Sequence, residues 1–267
     1  MTNIHAFSLY SGSTGNSFLL DVDGACILID AGKSAKALCN AIHACGREPH
    51  QILAILVTHE HSDHIQALPV FLKKHPIPVH LPLACGYKLE NEPWAESLLN
   101  PHPPIHTMEL HGIRISSFPT PHDSRGSVGY RIEIPTANGV FRIGYATDIG
   151  YVTPAVEEGL MGCDAVVLES NHDPEMLMDG PYPYDLKLRV SSKRGHLSNP
   201  DSADFAAHLC ANGTKSVMLA HLSQENNTPD TAYSEHLGQL ANDHVRLAIA
   251  DPNEVVELEL VQEDFSC

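Results

Sequence analysis

A chain of 267 residues is long enough for one large domain or two small ones, and an apolar content of 43% excludes a disordered chain. The 33 acidic residues against 16 basic ones give a net charge of −17, which argues against a protein that grips nucleic acid with its whole surface but leaves room for a local basic patch. No apolar run reaches the ~18 residues that span a bilayer, no signal-peptide pattern opens the chain, and the seven Cys include no CxxC pair, so membrane insertion, a disulfide framework and a cysteine zinc cage are not expected and a reducing cytoplasm is.

Alternating apolar runs at 4–10 (IHAFSLY), 17–22 (SFLLDV) and 25–30 (ACILID) predict three strands, the first two joined by the small-residue turn SGSTGNS. Residues 34–45 have helical spacing and are closed by Gly46. ILAILVTH at 52–59 is apolar at nearly every position and predicts a buried strand. A helix is expected at 67–75. Pro76, Pro78 and Pro82 then interrupt the chain, and 91–106 reads as a Pro/His-rich loop. IRISSFP, SVGYRIEI and VFRIGYATD predict a second set of strands. Helices near 154–161, 201–212 and 229–241 alternate with the strands DAVVLES and KSVMLAH, and VRLAIA and EVVELEL close the chain. Two strand-rich halves, each followed by helices, predict an α+β fold of two packed sheets with helices outside, in a single domain over 1–267 without linker or repeat.

The 18 His outnumber Lys and Arg together, and they cluster. The 52–59 strand runs into His59-Glu60-His61-Ser62-Asp63-His64, three His and one Asp in six residues. Imidazole and carboxylate without thiolate suit zinc, manganese or iron. A lone His on such a loop would read as a solvated side chain; this density reads as metal ligation. Two metals need more ligands, and other predicted strand ends provide them: His122 and Asp123 after IRISSFP, Asp148 after VFRIGYA, His221 after KSVMLA. Taken singly, each could equally be a capping residue. The segment 187–196 holds four basic residues in ten, Lys187, Arg189, Lys193 and Arg194, and suits a polyanion as well as a solvated helix end. The SGSTGNS turn, with Ser13 and Asn16, either presents N–H groups to an anion or is a plain hairpin turn. The remaining His, among them His80, His102 and His106, have no ligand partners at recognisable spacing and read as surface or partly packed residues.

HxHxDH after a strand, then a His, an Asp and a last His, resembles the metallo-β-lactamase fold, an αββα sandwich, over almost the whole chain. SGSTGNS, THEHSDHI, ESNHD, GPYPYDLKLRV, GHLSN and HLSQENN resemble, more narrowly, the YycJ/WalJ-type metallo-hydrolases, regarded as exonucleases acting on DNA. The resemblance implies two divalent ions per chain, zinc as most readily found, with manganese and iron as alternatives. His59, His61 and His122 would hold one; Asp63, His64 and His221 the other; Asp148 would bridge. The 73 residues from Asp148 to His221 leave no room for a β-CASP insertion. ESNHD with GHLSN is similar to the paired Glu and His motifs of tRNase Z, implying a Glu169–His196 dyad that protonates the leaving oxygen; alternatively His196 replaces His221 as a ligand.

The expected chemistry is phosphodiester hydrolysis. Two ions roughly 3.5–4 Å apart acidify a water, whose hydroxide attacks phosphorus in line, with Asp63 orienting it and His196 giving the leaving group its proton. The expected protein is a 5′-to-3′ exonuclease on DNA, with Asp63, Glu169 and His196 catalytic and with Ser13, Asn16, Lys187, Arg189, Lys193 and Arg194 on the substrate. The alternatives are hydrolysis of a small cyclic phosphodiester, thioester or lactone, and a metal-binding protein without turnover.

Overall fold

The computed structural model describes residues 2–240 and 245–261. One sheet contains β1 (Ile4–Tyr10), β2 (Ser17–Val22), β3 (Ala25–Ile29), β4 (Ile52–Leu56), β5 (Val79–Pro82), β6 (Leu99–His102) and β14 (Val256–Leu258), in the order β14-β1-β2-β3-β4-β5-β6. The other contains β7 (His106–Leu110), β8 (Ile113–Thr120), β9 (Ser127–Thr136), β10 (Gly139–Ala146), β11 (Ala165–Glu169), β12 (Ser216–Ala220) and β13 (Arg246–Ile249), in the order β13-β12-β11-β10-β9-β8-β7. Each sheet joins an antiparallel meander to a parallel run: β3 to β6 are parallel in the first, β10 to β13 in the second.

The helices are α1 (Ala35–Ala44), α2 (Ser62–Ile65), α3 (Leu68–Phe71), α4 (Ala95–Leu98), α5 (Pro154–Leu160), α6 (Pro174–Asp179), α7 (Tyr184–Val190), α8 (Asn199–Ala211) and α9 (Pro229–Gln239). Phe18, Leu20, Ile27 and Ile29 of the first sheet pack against Ile132, Ile143, Tyr145 and Val167 of the second. The alternate residues face outward, as the two-residue strand period requires. Leu19 and Leu28 pack outside the first sheet with Leu38 and Ile42 of α1; Leu168, Val217 and Leu219 pack outside the second with α5, α8 and α9. The layers are helix, sheet, sheet, helix, the expected α+β sandwich.

Three expectations change. The helix expected at 67–75 is shortened to α3 at 68–71, and a separate turn of helix, α2 at 62–65, precedes it; Pro69 in the first turn of α3 has no N–H with which to continue α2 into it. Residues 91–106 are not a loop: α4 and β6 lie within them, and Pro101 is tolerated because β6 is an edge strand. β5, β7, α6 and α7 were not foreseen. Ala241, the last residue of the helix expected at 229–241, lies outside the described residues. Among these no helix is long and apolar enough to cross a membrane.

Candidate metal centre

The ends of β3, β4, β8, β10, β11 and β12 converge, and each presents a ligand-type residue. Asp30, Asp148 and His221 have φ of 59°, 58° and 59°. A left-handed backbone costs a non-glycine residue about 1–2 kcal/mol; here it ends β3, β10 and β12 and delivers the side chain to the centre. Gly32 allows the neighbouring loops to meet. A Cβ there would stand 2.1 Å from the Asp63 carbonyl oxygen and 2.5 Å from the Asn16 nitrogen.

Five imidazoles are held through Nδ1. Thr58 Oγ1 donates to Asp30 Oδ2 at 2.8 Å and stands 3.0 Å from His59 Nδ1, whose proton it accepts. His64 Nδ1 donates to Asp30 Oδ2 at 2.8 Å, and His122 Nδ1 to the Gly195 carbonyl at 3.2 Å. His196 and His221 both donate to Glu169 Oε1, at 2.8 and 2.9 Å. The other Glu169 oxygen accepts from the Ile149 and Leu197 backbone. Anchoring one ring nitrogen fixes the tautomer and leaves Nε2 as the ligand atom. His61 is the solvent-side member, 33% exposed, with Nε2 3.9 Å from Asp123 Oδ1.

Ligand-type atoms of His59, His61 and His122 lie within 4.8 Å of one another, as do those of Asp63, His64 and His221, and those of His59, His64 and Asp148. His196 groups with Asp148, Glu169 and His221. His59 Nε2, Asp148 Oδ2 and His221 Nε2 are buried without a hydrogen-bond partner. Each bare buried polar atom costs about 1–3 kcal/mol, and divalent cations held by these groups would satisfy all three. The donor set fits a metal.

The charges agree. Burial alone would raise Asp63 and Asp148; His64 and His221 foremost among their neighbours overcome it and hold both carboxyls well below the usual range. Burial lowers His59 and His122, so each keeps a free lone pair. At His221 burial is outweighed by Asp148, Asp63 and Glu169, which raise it to about 10; His64 is likewise raised, against burial, by Asp30, Asp148 and Asp63. Both shifts report the positive charge that the surrounding carboxylates demand at these two rings, a demand that a divalent cation bound at Nε2 would meet in place of a proton.

The expected substrate residues are placed less uniformly. Asn16 is buried and its Nδ2 donates to Asp63 Oδ2 at 3.1 Å and to His64 Nε2 at 3.1 Å, so it braces ligands instead of facing substrate. The backbone N–H groups of Gly12, Gly15 and Asn16 are spent on Asn16, Gly12 and Asp63, which removes most of the expected anion cradle; Ser13 is exposed on the turn. Lys187 Nζ donates to the Met178 carbonyl and the Arg194 guanidinium to that of His122. Arg189 is exposed and bonded to Asp123 at 2.6 Å, and Lys193 lies over the Tyr151 ring.

Several supports escaped the sequence reading. Asp30 ends a predicted strand as Asp148 does, which was the available signal. Ser11 accepts the His221 N–H at 2.7 Å. Asn171 donates to the His221 carbonyl at 2.7 Å, and Asn227 bonds to the Ser170 and Asn171 carbonyls, so ESNHD and HLSQENN form one buried brace.

Two packed mixed sheets flanked by helices, with a His/Asp cluster at the strand ends, define a metal-binding protein of the metallo-β-lactamase fold. The chain belongs to the β-lactamase superfamily: residues 26–222 match the model of a beta-lactamase superfamily domain. It is 35% identical over 237 residues to exodeoxyribonuclease WalJ of Streptococcus pneumoniae, covering 87% of each chain. It is 35% identical over 233 residues to exodeoxyribonuclease YycJ of Bacillus anthracis, covering 86% of each. The crystal structure of the metallo-beta-lactamase fold protein YhfI from Bacillus subtilis has the same fold, with a TM-score of 0.72 at 15% identity over 96% of this chain and 100% of that one.

Proposed function

We propose that the protein is a metal-dependent phosphodiesterase that degrades DNA as a 5′-to-3′ exonuclease. The observation that carries this reading is the convergence of His and carboxylate groups on three bare buried atoms, in a chain 35% identical to two proteins named exodeoxyribonucleases. His59, His61 and His122 would hold one ion, Asp63, His64 and His221 a second, with Asp148 between them. Zinc, manganese and iron all suit these ligands. Bound divalent ions supply Lewis acidity at the phosphoryl oxygens and acidify water.

The chain's own residues do the rest. Glu169 holds His196 through Nδ1, so that Nε2 can protonate the leaving oxygen, with the imidazolium charge stabilised by the carboxylate. His221 groups with Asp63 and His64 as well as with Asp148, whereas His196 does not reach that set. This supports His221 as ligand and His196 as proton donor. Asp63, steadied by Asn16, orients the attacking group. Lys88, Arg125, Lys193 and Arg194 are exposed around the centre, while Arg189 beside them is paired with Asp123. They make a local basic mouth in an acidic protein and oppose its repulsion of a polyanion.

The test uses metal-stripped protein, restored with manganese or zinc, on 5′-labelled single-stranded and duplex DNA. Early release of the labelled 5′ nucleotide, dependent on metal and lost in His61→Ala, is expected. Intact DNA with turnover of bis(p-nitrophenyl) phosphate would move the reading to a small phosphodiester.

A further inference from the structure

We propose that the cleft beside His61 and Asp63 binds one unstacked nucleotide of a single DNA strand, with its base on the Tyr87 side and its phosphates on Lys88 and Arg125. This subsite rests on the phosphodiesterase reading and specifies its substrate. The cleft is an open depression of about 590 Å³, and His61 and Asp63 are among the residues that line it. Tyr87 and Lys88 come from the turn after β5, Arg125 from the loop after β8. The Arg125 guanidinium lies 3.9 Å from the Tyr87 ring centroid, and Lys88 Nζ 5.6 Å from it. The guanidinium is thus stacked on the Tyr87 ring, with the Lys88 ammonium also within reach of it. Arg189 shares the cleft, but its charge is taken by Asp123 at 2.6 Å. Lys88 and Arg125 have no carboxylate partner among the described residues and are left for a polyanion.

Glu60 sets the distance from this subsite to the metal ligands. It lies between His59 and His61 in the HxHxDH motif, yet neither oxygen turns to the centre. Oε1 accepts the Arg125 N–H at 3.0 Å, and Oε2 accepts the Cys85 thiol at 2.9 Å. Cys85 Sγ also lies 3.0 Å from the Gly126 carbonyl. One buried carboxylate therefore pins both walls of the cleft to the metal-binding loop. Only a base that has left its duplex stack can lie on such an aromatic–guanidinium platform. The ligand is accordingly a frayed or single-stranded end, lying next to the bond that is cut.

The test compares single-stranded oligothymidylate with bis(p-nitrophenyl) phosphate, using the metal-loaded full chain. Loss of one base–aromatic stack should raise KM for the oligonucleotide about 5- to 150-fold in Tyr87→Ala. The effect should exceed that on the small diester at least roughly fivefold, and Tyr87→Phe should restore the oligonucleotide KM. Arg125→Gln should lower the slope of log affinity against log salt by about 0.7, the value for one phosphate contact on a single strand. An oligonucleotide KM that Tyr87→Ala leaves unchanged overturns the subsite, as does an equal loss on both substrates. Wild-type enzyme that leaves DNA intact overturns the function reading itself, and the subsite with it.

Discussion

Glu169→Gln should loosen the fold, the metal site and the proton donor together. Glu169 is fully buried and its oxygens accept four hydrogen bonds, two from imidazoles and two from backbone N–H groups. The amide keeps the volume but turns one acceptor into a donor. With its oxygen toward His196 and His221, the new NH2 confronts the Ile149 and Leu197 N–H groups. Reversed, it confronts both Nδ1–H groups, and the rings must move their protons to Nε2, the nitrogen needed at the centre. A hydrogen bond to a charged acceptor is worth ~1.5–3 kcal/mol. Losing two costs about 3 kcal/mol or more, equivalent to ~6–12 °C in Tm for a domain of this size. Metal affinity should fall about 10- to 100-fold through His221. At saturating metal, DNA hydrolysis should fall by ~10²–10⁴ through His196, and hydrolysis of bis(p-nitrophenyl) phosphate by less, since nitrophenolate leaves without a proton. The pH dependence has a definite sign. The neighbouring imidazoles overcome burial and lower Glu169 from the usual 4.5 to about 2. Its contribution is complete above the unfolded pKa and is lost as pH falls from there toward 2, a slope that the Gln variant should lack. Calorimetric melting, metal titration and the two rates measure all of this. A variant that melts and binds metal as the wild type does would refute the hub role.

Asp30→Asn keeps the positive-φ turn but replaces Oδ2, the acceptor of His64 Nδ1 and the Thr58 hydroxyl, with a donor, so metal affinity should fall about 10- to 100-fold with the fold intact; competition against a chromophoric chelator would show it, and unchanged affinity would count against it. Gly32→Ala drives a Cβ into the Asp63 carbonyl and should cost ~1–3 kcal/mol in urea unfolding, with lower metal content; a stable, fully loaded variant would mean that the loops are not held as tightly as they look. His80, His102 and His106 stack where β5, β6 and β7 meet, with centroids 5.2 and 3.9 Å apart. Burial first, then the charges of His102 and His106, lower His80 to about 4. The unfolded chain therefore takes up a proton first, and stability is lost as pH falls from about 6.5 toward 4. Tm should fall less steeply over that window in His80→Gln, and parallel curves would dismiss the effect.

The buried strands and HxHxDH were legible because their signals are local: a two-residue period, and four ligands in six positions. Edge placement is not local. β6 and β7 carry few apolar residues, and Pro101 argues against a strand until β6 is known to have an unpaired side. Asn16 shows a second limit. A small polar residue in a Gly-rich turn looks available to substrate, and only the packing of Gly32 against the 59–64 loop brings it onto Asp63 and His64. Lys187 and Arg194 belong to the densest basic stretch, yet both turn to carbonyls, one of them on α6, a helix the sequence did not announce. Asp30 was hidden for the same reason as Asn16, since its partner His64 lies 34 residues away.

The most direct test of a two-metal phosphodiesterase is the single-turnover rate of DNA hydrolysis by stripped protein, titrated with manganese. The rate should climb to a plateau at two equivalents per chain in the wild type and stay flat in His61→Ala and Asp63→Ala. A plateau at one equivalent, or cleavage that persists in either variant, would contradict it.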